Sequence, residues 1–377
     1  MRLKSLHIQN FRALEDFKVK KLGHVNLIVG KNNSGKSSVL EAVRIYAGNA
    51  DPYLLSSISE SHDEKFSPSD NESFPFEHFF TNRCFPSDEK QSITIGEIDK
   101  ASDSLRLQHT YLIEETETIT LDNGETRTST RLKPTLEQPV FDFVDKSTTR
   151  HAILATKNQK SLLIDPKLFE GRRLSRVSEF PLDVFGSIPC QYIPTAHISS
   201  ADLASYWDNR IVLSGIESLI IDKLKFIEPN CEKITFVEPK RGERFAVVTI
   251  KDIQKPIPLK SMGDGVFRVF QLALKAFSAK DGFLLIDEFE NGLHWTVQEK
   301  VWEWLFELSK SLNIQIFATT HSNDCVRSFS KVASQKKDGV MFRVGQGVKK
   351  EDIGKIVATD FSEEELAIIL ANKIEVR

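Results

Sequence analysis

Polar and apolar residues alternate over residues 3–9 and again from residue 16, where the pattern ends in the apolar run Val25-Asn26-Leu27-Ile28-Val29 and stops at Gly30. Period two predicts strands over 3–9 and 16–29. From Lys36 the period changes. Val39, Leu40, Val43 and Tyr46 fall on one helical face, and Gly48 is placed as a C-terminal stop. Residues 49–90 hold a Ser/Asp/Pro-rich stretch and then Phe74-Pro75-Phe76-Glu77-His78-Phe79-Phe80, which predicts a surface loop followed by a short packed helix. The phenylalanines read as core packing or as a stacking platform for bases.

Residues 91–165 carry Thr, Ile, Leu and Val at period two, with a turn at Asp122-Asn123-Gly124, the pattern of an antiparallel sheet. An amphipathic helix is predicted over 200–228 on Leu203, Trp207, Ile211, Ile216, Leu219, Ile220 and Leu224. Strands follow near 233–238 and 244–250, then a helix over 264–279, a buried strand Phe283–Ile286, a helix over 294–311 and a buried strand Ile314–Ala318. Strand alternating with helix predicts a parallel sheet covered by helices. No internal repeat and no heptad run is present, so no long coiled coil is expected.

Composition narrows the class. Over 377 residues, 40% hydrophobic and 27% charged content with a net charge of −3 describes an ordinary globular chain without an overall basic signal for nucleic acid. DNA binding would rest on local runs, Lys240-Arg241-Gly242-Glu243-Arg244 and Gly171-Arg172-Arg173-Leu174-Ser175-Arg176, or these are solvated loops. Cys84, Cys190, Cys231 and Cys325 lie far apart and read as reduced and buried. With no leader-like start and no apolar span, a cytoplasmic chain without a membrane partner is expected.

The chemistry begins at Gly30-Lys31-Asn32-Asn33-Ser34-Gly35-Lys36-Ser37, which fits G-x-x-x-x-G-K-[ST] between a buried strand and a helix. Backbone N–H groups of such a loop, with the helix N-terminus through Ser38, cradle phosphates; Lys36 reaches the β/γ oxygens and Ser37 ligates Mg²⁺. Asp287-Glu288 emerge at a strand's carboxyl end, where α/β sheets place ligands. An Asp there holds Mg²⁺ and a Glu orients or deprotonates water, although an acidic pair can also be a plain helix cap. His321, in Ala318-Thr319-Thr320-His321-Ser322, is a γ-phosphate sensor or a structural strand-end residue. Ser261-Met262-Gly263-Asp264-Gly265 precedes an amphipathic helix and offers a second anion site.

This motif set resembles the ABC-ATPase branch that contains the SMC, RecF and OLD proteins. Leu6-His7-Ile8-Gln9-Asn10-Phe11-Arg12 is similar to its N-terminal strand and Asn-Phe-Arg turn, Gly30–Ser37 to its phosphate loop, Ser261–Gly265 to its signature loop, Leu284–Glu288 to its Mg²⁺ strand, Glu290-Asn291-Gly292-Leu293-His294 to its D-loop, and His321 to its switch histidine. The resemblance implies one α/β P-loop NTPase head over 1–377: a mixed, mostly parallel core sheet, an antiparallel β lobe and a helical lobe. Its parts would be 1–190 with the phosphate loop, 191–265 with the signature loop, and 266–377 with the Mg²⁺ strand. It also implies ATP and Mg²⁺ as ligands, Glu288 as hydrolytic base, and Ser261, Gly263, Asp264 and Gly265 acting in trans across a homodimer that sandwiches ATP and can build higher oligomers. Gln191, in Cys190-Gln191-Tyr192-Ile193-Pro194, is the candidate glutamine ligand of Mg²⁺; Arg12 either touches nucleotide or pairs within its lobe.

The stretch after His321 is too short for the TOPRIM nuclease of OLD and Gabija relatives, roughly 100 residues, and Phe361-Ser362-Glu363-Glu364-Glu365-Leu366 reads as the cap of a last helix. The expected activity is an ATPase subunit similar to those of antiphage systems such as PARIS and Septu, controlling a separately encoded nuclease or toxin. A RecF-like DNA clamp and a slow-ATPase scaffold for a protein partner are the alternatives.

Overall fold

The computed structural model describes residues 2–64, 75–86, 91–120, 126–135, 149–165, 186, 188–196, 198–241, 244–350, 352–361 and 365. It divides into two compact units, one of Met1–Leu6, Lys18–Ala47 and Ile188–Arg377, the other of His7–Phe17 and Gly48–Ser187. The turn at Asp122–Gly124, the basic run 171–176 and most of the 361–366 tail lie outside the described residues.

The first unit is built on a six-stranded sheet. Its strands are β3 (Val25–Val29), β9 (Cys190–Ile193), β13 (Phe283–Ile286), β14 (Gln315–Thr320), β15 (Gly339–Gln346) and β16 (Ile356–Asp360), in the order β16-β15-β3-β14-β13-β9. All pairs are parallel except β15 with β16. Strands buried on both faces read as continuous apolar runs, and β3 and β13 are buried at every position. On one face Val25, Leu27, Leu284, Ile286 and Ile316 pack against helices α5 (Asp264–Ser278), α6 (Trp295–Ser311) and α7 (Asn323–Lys336), which contribute Phe270, Trp302 and Phe329. Helix α1 (Lys36–Ala47) lies on the other face, where Arg44 sits over the Tyr192 ring at 4.8 Å.

The expected strand over 16–29 is two strands, β2 (Leu14–Val19) and β3. The break falls at Gly23, where a Cβ would stand 2.5 Å from the Asp338 carbonyl oxygen. The expected helix over 200–228 is interrupted too: α3 (Ser200–Tyr206) runs through a π turn and a 3₁₀ turn to Gly215, whose φ of 65° ends it before α4 (Glu217–Leu224). A small antiparallel sheet of β10 (Cys231–Val237), β11 (Phe245–Ile250) and β12 (Ile257–Pro258) precedes α5.

The second unit carries an antiparallel sheet: β2, β1 (Leu6–Phe11), β4 (Ile93–Gly96), β5 (Leu105–Thr120), β7 (Thr149–Lys157) and β8 (Lys160–Ile164) in that order, with β6 (Thr126–Thr135) paired to β5. Where the sequence suggested a loop there is a helix, α2 (Pro52–Ser61), capped by the Asp51 side chain and opened by Pro52. Phe76, Phe79 and Phe80 are buried, and Phe76 stacks on Phe79 at 5.6 Å, so these rings are core. Of the cysteines, Cys231 and Cys325 are buried but Cys84 is exposed, contrary to expectation. Among the described residues no helix is long and apolar enough to cross a membrane.

Candidate functional site

Three adjacent parallel strands deliver the site. The glycine loop follows β3, Asp287-Glu288 follow β13 and His321 follows β14; the register pairs Val29 with Thr320 and Ile286 with Ala318, so all three segments leave the same edge of one sheet. Gly30 is required by space, because a Cβ there would come within 2.4 Å of the Val344 carbonyl oxygen. Asn33 and Gly35 adopt left-handed backbone, φ 60° and 98°, which turns the loop into the first turn of α1. The Lys36 ammonium is folded back on the loop, donating to the carbonyls of Gly30 at 2.9 Å and Lys31 at 2.7 Å. Burial lowers its pKa, and the carboxylates of Asp287, Glu288 and Glu290 oppose that shift. Asn32, Asn33 and Ser37 are exposed, Gly35 and Ser38 half-buried, and the Ser34 hydroxyl is buried without a hydrogen-bond partner. A loop with an unsatisfied hydroxyl and an exposed helix start fits phosphate oxygens, and the Ser37 hydroxyl beside it fits Mg²⁺.

Asp287 is held from two sides. The Thr319 hydroxyl donates to its Oδ1 at 2.6 Å, and the Tyr192 and Thr195 hydroxyls lie 3.4 Å from Oδ2. Thr319 Oγ1 also accepts from the Glu288 main-chain N–H at 2.9 Å. Glu288 has a φ of 47°, a strained conformation for a non-glycine residue, and its side chain is partly exposed. His321 stands between two carboxylates, with Nδ1 3.6 Å from Glu288 Oε1 and 3.4 Å from Glu290 Oε1, while its main-chain N–H donates to Glu290 Oε1 at 3.0 Å.

Sequence reasoning missed Arg268. This buried residue of α5 donates to the main-chain carbonyls of Pro194, Asp287 and Glu288 at 3.0, 2.7 and 2.9 Å. Burial pulls its pKa down to about 10, against the pull of Asp287, Glu290 and Glu288, so it is a cation at neutral pH. A charged residue inside the apolar face of a helix was the available signal.

Gln191 is not brought to Asp287. Its side chain lies on the α5 face of β9, where its amide oxygen accepts from Lys275 Nζ at 3.2 Å. Side chains alternate across a strand, so it is Tyr192, on the opposite face, that reaches the carboxylate. The candidate glutamine ligand, Gln191, is thus placed beside Lys275 and not beside the Asp287 carboxylate. Arg12 in the second unit gives both terminal nitrogens to Glu64, at 3.0 and 3.2 Å, so pairing within its own lobe is the observed arrangement. Arg244 likewise pairs with Asp208.

The signature-like segment forms a 3₁₀ turn, Leu259–Met262, followed by Gly263 at φ 91° and the first residues of α5. Ser261, Gly263 and Asp264 are exposed, and a Cβ on Gly263 would meet no atom within 4 Å. The Glu290–His294 loop packs directly against it: a Cβ at Gly265 would lie 3.1 Å from the Gly292 carbonyl oxygen, and one at Gly292 3.1 Å from the Asp264 carbonyl oxygen.

Residues 25–324 match the sequence model of the family described as "AAA domain, putative AbiEii toxin, Type IV TA system". A Helicobacter pylori protein named ATP/GTP phosphatase is 24% identical over 354 residues, covering 89% of this chain and 89% of its own. Among solved structures, an SMC head bound to the C-terminal winged-helix domain of ScpA aligns over 98% of this chain and 100% of its own, with 13% identity and a TM-score of 0.50. The SMC head domain from Thermotoga maritima aligns over 96% of this chain at a TM-score of 0.43. The fold is that of an SMC-head-like P-loop ATPase.

Proposed function

The chain belongs to the AAA-domain family it matches over residues 25–324, and on that premise we propose that it binds ATP at Gly30–Ser38 and hydrolyses it, using Glu288 as the base. The observation that carries this reading is the common edge onto which β3, β13 and β14 deliver the glycine loop, Asp287-Glu288 and His321. In this reading Lys36 exchanges its two loop carbonyls for phosphate oxygens. Ser37 and Asp287 would hold Mg²⁺, which when bound supplies positive charge against the phosphates. Glu288 orients water and accepts its proton, and His321, bridging toward Glu288 and Glu290, hydrogen-bonds the γ-phosphate.

The exposed signature-like turn supports a second half-site offered to another copy of the chain, giving an ATP-sandwiched homodimer. We read that dimer as the regulator of a separately encoded effector, a nuclease or toxin of a prokaryotic defence system; the family description, which names a toxin of a toxin–antitoxin system, supports this direction.

The test is Glu288→Gln with ATP and Mg²⁺. Turnover is expected to fall ~100-fold or more, in line with loss of a general base, and light scattering to show a dimer that persists while ATP is present. Unchanged turnover in this variant refutes the assignment of Glu288. A hydrolytically dead protein that stays monomeric with ATP refutes the sandwich.

A further inference from the structure

A cleft of about 270 Å³ opens between α3, the β10–β12 sheet and α5. Its walls are apolar: Leu203, Phe236, Phe245, Ala246, Leu259 and Phe267. The cleft is open to solvent, and its volume approaches the ~300 Å³ at which small-molecule sites begin. One cation belongs to the lining, Lys260, and a second, Arg244, lies outside it beside the Phe236 ring. Lys260 Nζ lies 5.7 Å from the centroid of Phe267, and the Arg244 guanidinium lies 5.9 Å from that of Phe236. Arg244 is already paired with Asp208. Lys260 has no carboxylate partner among the described residues and is the one charged side chain in the lining. An apolar slot ended by an uncompensated ammonium suits a ligand with an apolar body and one anionic head.

The cleft is continuous with the signature-like segment. Leu259 and Lys260 belong to the 3₁₀ turn that continues into Ser261, and Phe267 lies in the first turn of α5, so the two walls bracket Ser261–Gly265. We propose that this cleft binds a small amphipathic carboxylate, of the size of a medium-chain fatty acid, and that occupancy fixes the signature-like turn and so changes ATP turnover. The regulatory half rests on the ATPase reading above; the binding half does not.

The experiment is calorimetry and ATP turnover on the full chain with decanoate below its micelle concentration, with decanol and acetate as controls. Decanoate is expected to bind with unit stoichiometry, at least about tenfold tighter than either control. Lys260→Glu, a surface change, is expected to weaken decanoate about tenfold and leave decanol unaffected. Ala246→Phe, which fills the slot, is expected to abolish binding. Equal binding of decanoate and decanol removes the anionic recognition, and unaltered binding in both variants places the ligand elsewhere; either result overturns the proposal. Binding that obeys both variants but leaves wild-type turnover unchanged overturns the regulatory half. If the wild type hydrolyses no ATP, the ATPase reading fails, while calorimetry still decides the site.

Discussion

Arg268 holds the main-chain carbonyls of Asp287 and Glu288 with a single nitrogen, at 2.7 and 2.9 Å. Because Arg268 sits one turn into the helix that begins at the signature-like loop, a shift of that helix is felt directly at the acidic pair. The other terminal nitrogen donates to the Pro194 carbonyl, and lysine, with one nitrogen, cannot span all three carbonyls. Arg268→Lys is expected to lower kcat ~10- to 100-fold, matching loss of hydrogen bonds worth about 1.5–3 kcal/mol from a charged donor. KM is expected to stay near wild type, and steady-state kinetics with a circular-dichroism check on folding would separate this from collapse.

Thr319 supplies one hydroxyl to two neighbours, donating to Asp287 and accepting from the Glu288 N–H. Thr319→Val keeps the shape and removes both bonds. Turnover is expected to fall about tenfold with a stability loss of ~1–3 kcal/mol from the unsatisfied N–H and carboxylate. Thr319→Ser is expected to restore most of the rate; a serine variant as slow as valine would show that the hydroxyl is not the cause.

Gly30→Ala drives a methyl group into the Val344 carbonyl and the Ser34 side chain. Backbone cannot yield cheaply, so a loss of ~1–3 kcal/mol and a fall in Tm are expected, together with weaker nucleotide binding. Lys36→Ala, which creates no such clash, should lose nucleotide binding while keeping its Tm within a few degrees, and differential scanning fluorimetry with and without ATP reads both.

Lys275 is buried beneath the Tyr206 ring at 3.5 Å, and burial lowers its pKa from 10.5 to about 8, opposed chiefly by Asp202. Between about pH 8 and 10.5 the unfolded chain binds more protons at this residue than the folded one, so this group makes stability rise with pH across that window. The destabilising contribution is fully present below pH 8. Lys275→Met should lack this rise: its Tm relative to wild type is expected to be highest near pH 7 and to decline by pH 10. A pH-independent difference would contradict the lowered pKa.

The parallel core was legible because buried strands write themselves as apolar runs, and Phe283–Ile286 emerges with the bounds the sequence suggested. The phosphate loop was legible because its mechanism demands glycine at fixed places. Other features depend on contacts far away in the chain. The break at Gly23 is dictated by Asp338, and the π turn at Trp207–Ile211 bends a pattern that periodicity reads as one helix. Helix α7 carries a helical period in its buried Val326, Phe329, Val332 and Ala333 and was passed over only because it follows the last motif, as do strands β15 and β16. Gln191 lies on the face toward Lys275 and pairs with Leu284, three residues short of Asp287, whereas the long Tyr192 side chain on the other face reaches the carboxylate. Arg268 carries no motif, since main-chain carbonyls are invisible in sequence.

The facing glycines Gly265 and Gly292 allow two loops from different parts of the chain to touch backbone to backbone. Trp295, 62% exposed, stands just beyond the second loop, and the exposed Ser261 opens the first. The contact leaves little room for a side chain at either glycine, so the two loops are held together. Displacing either loop therefore displaces the other, so the two present one surface.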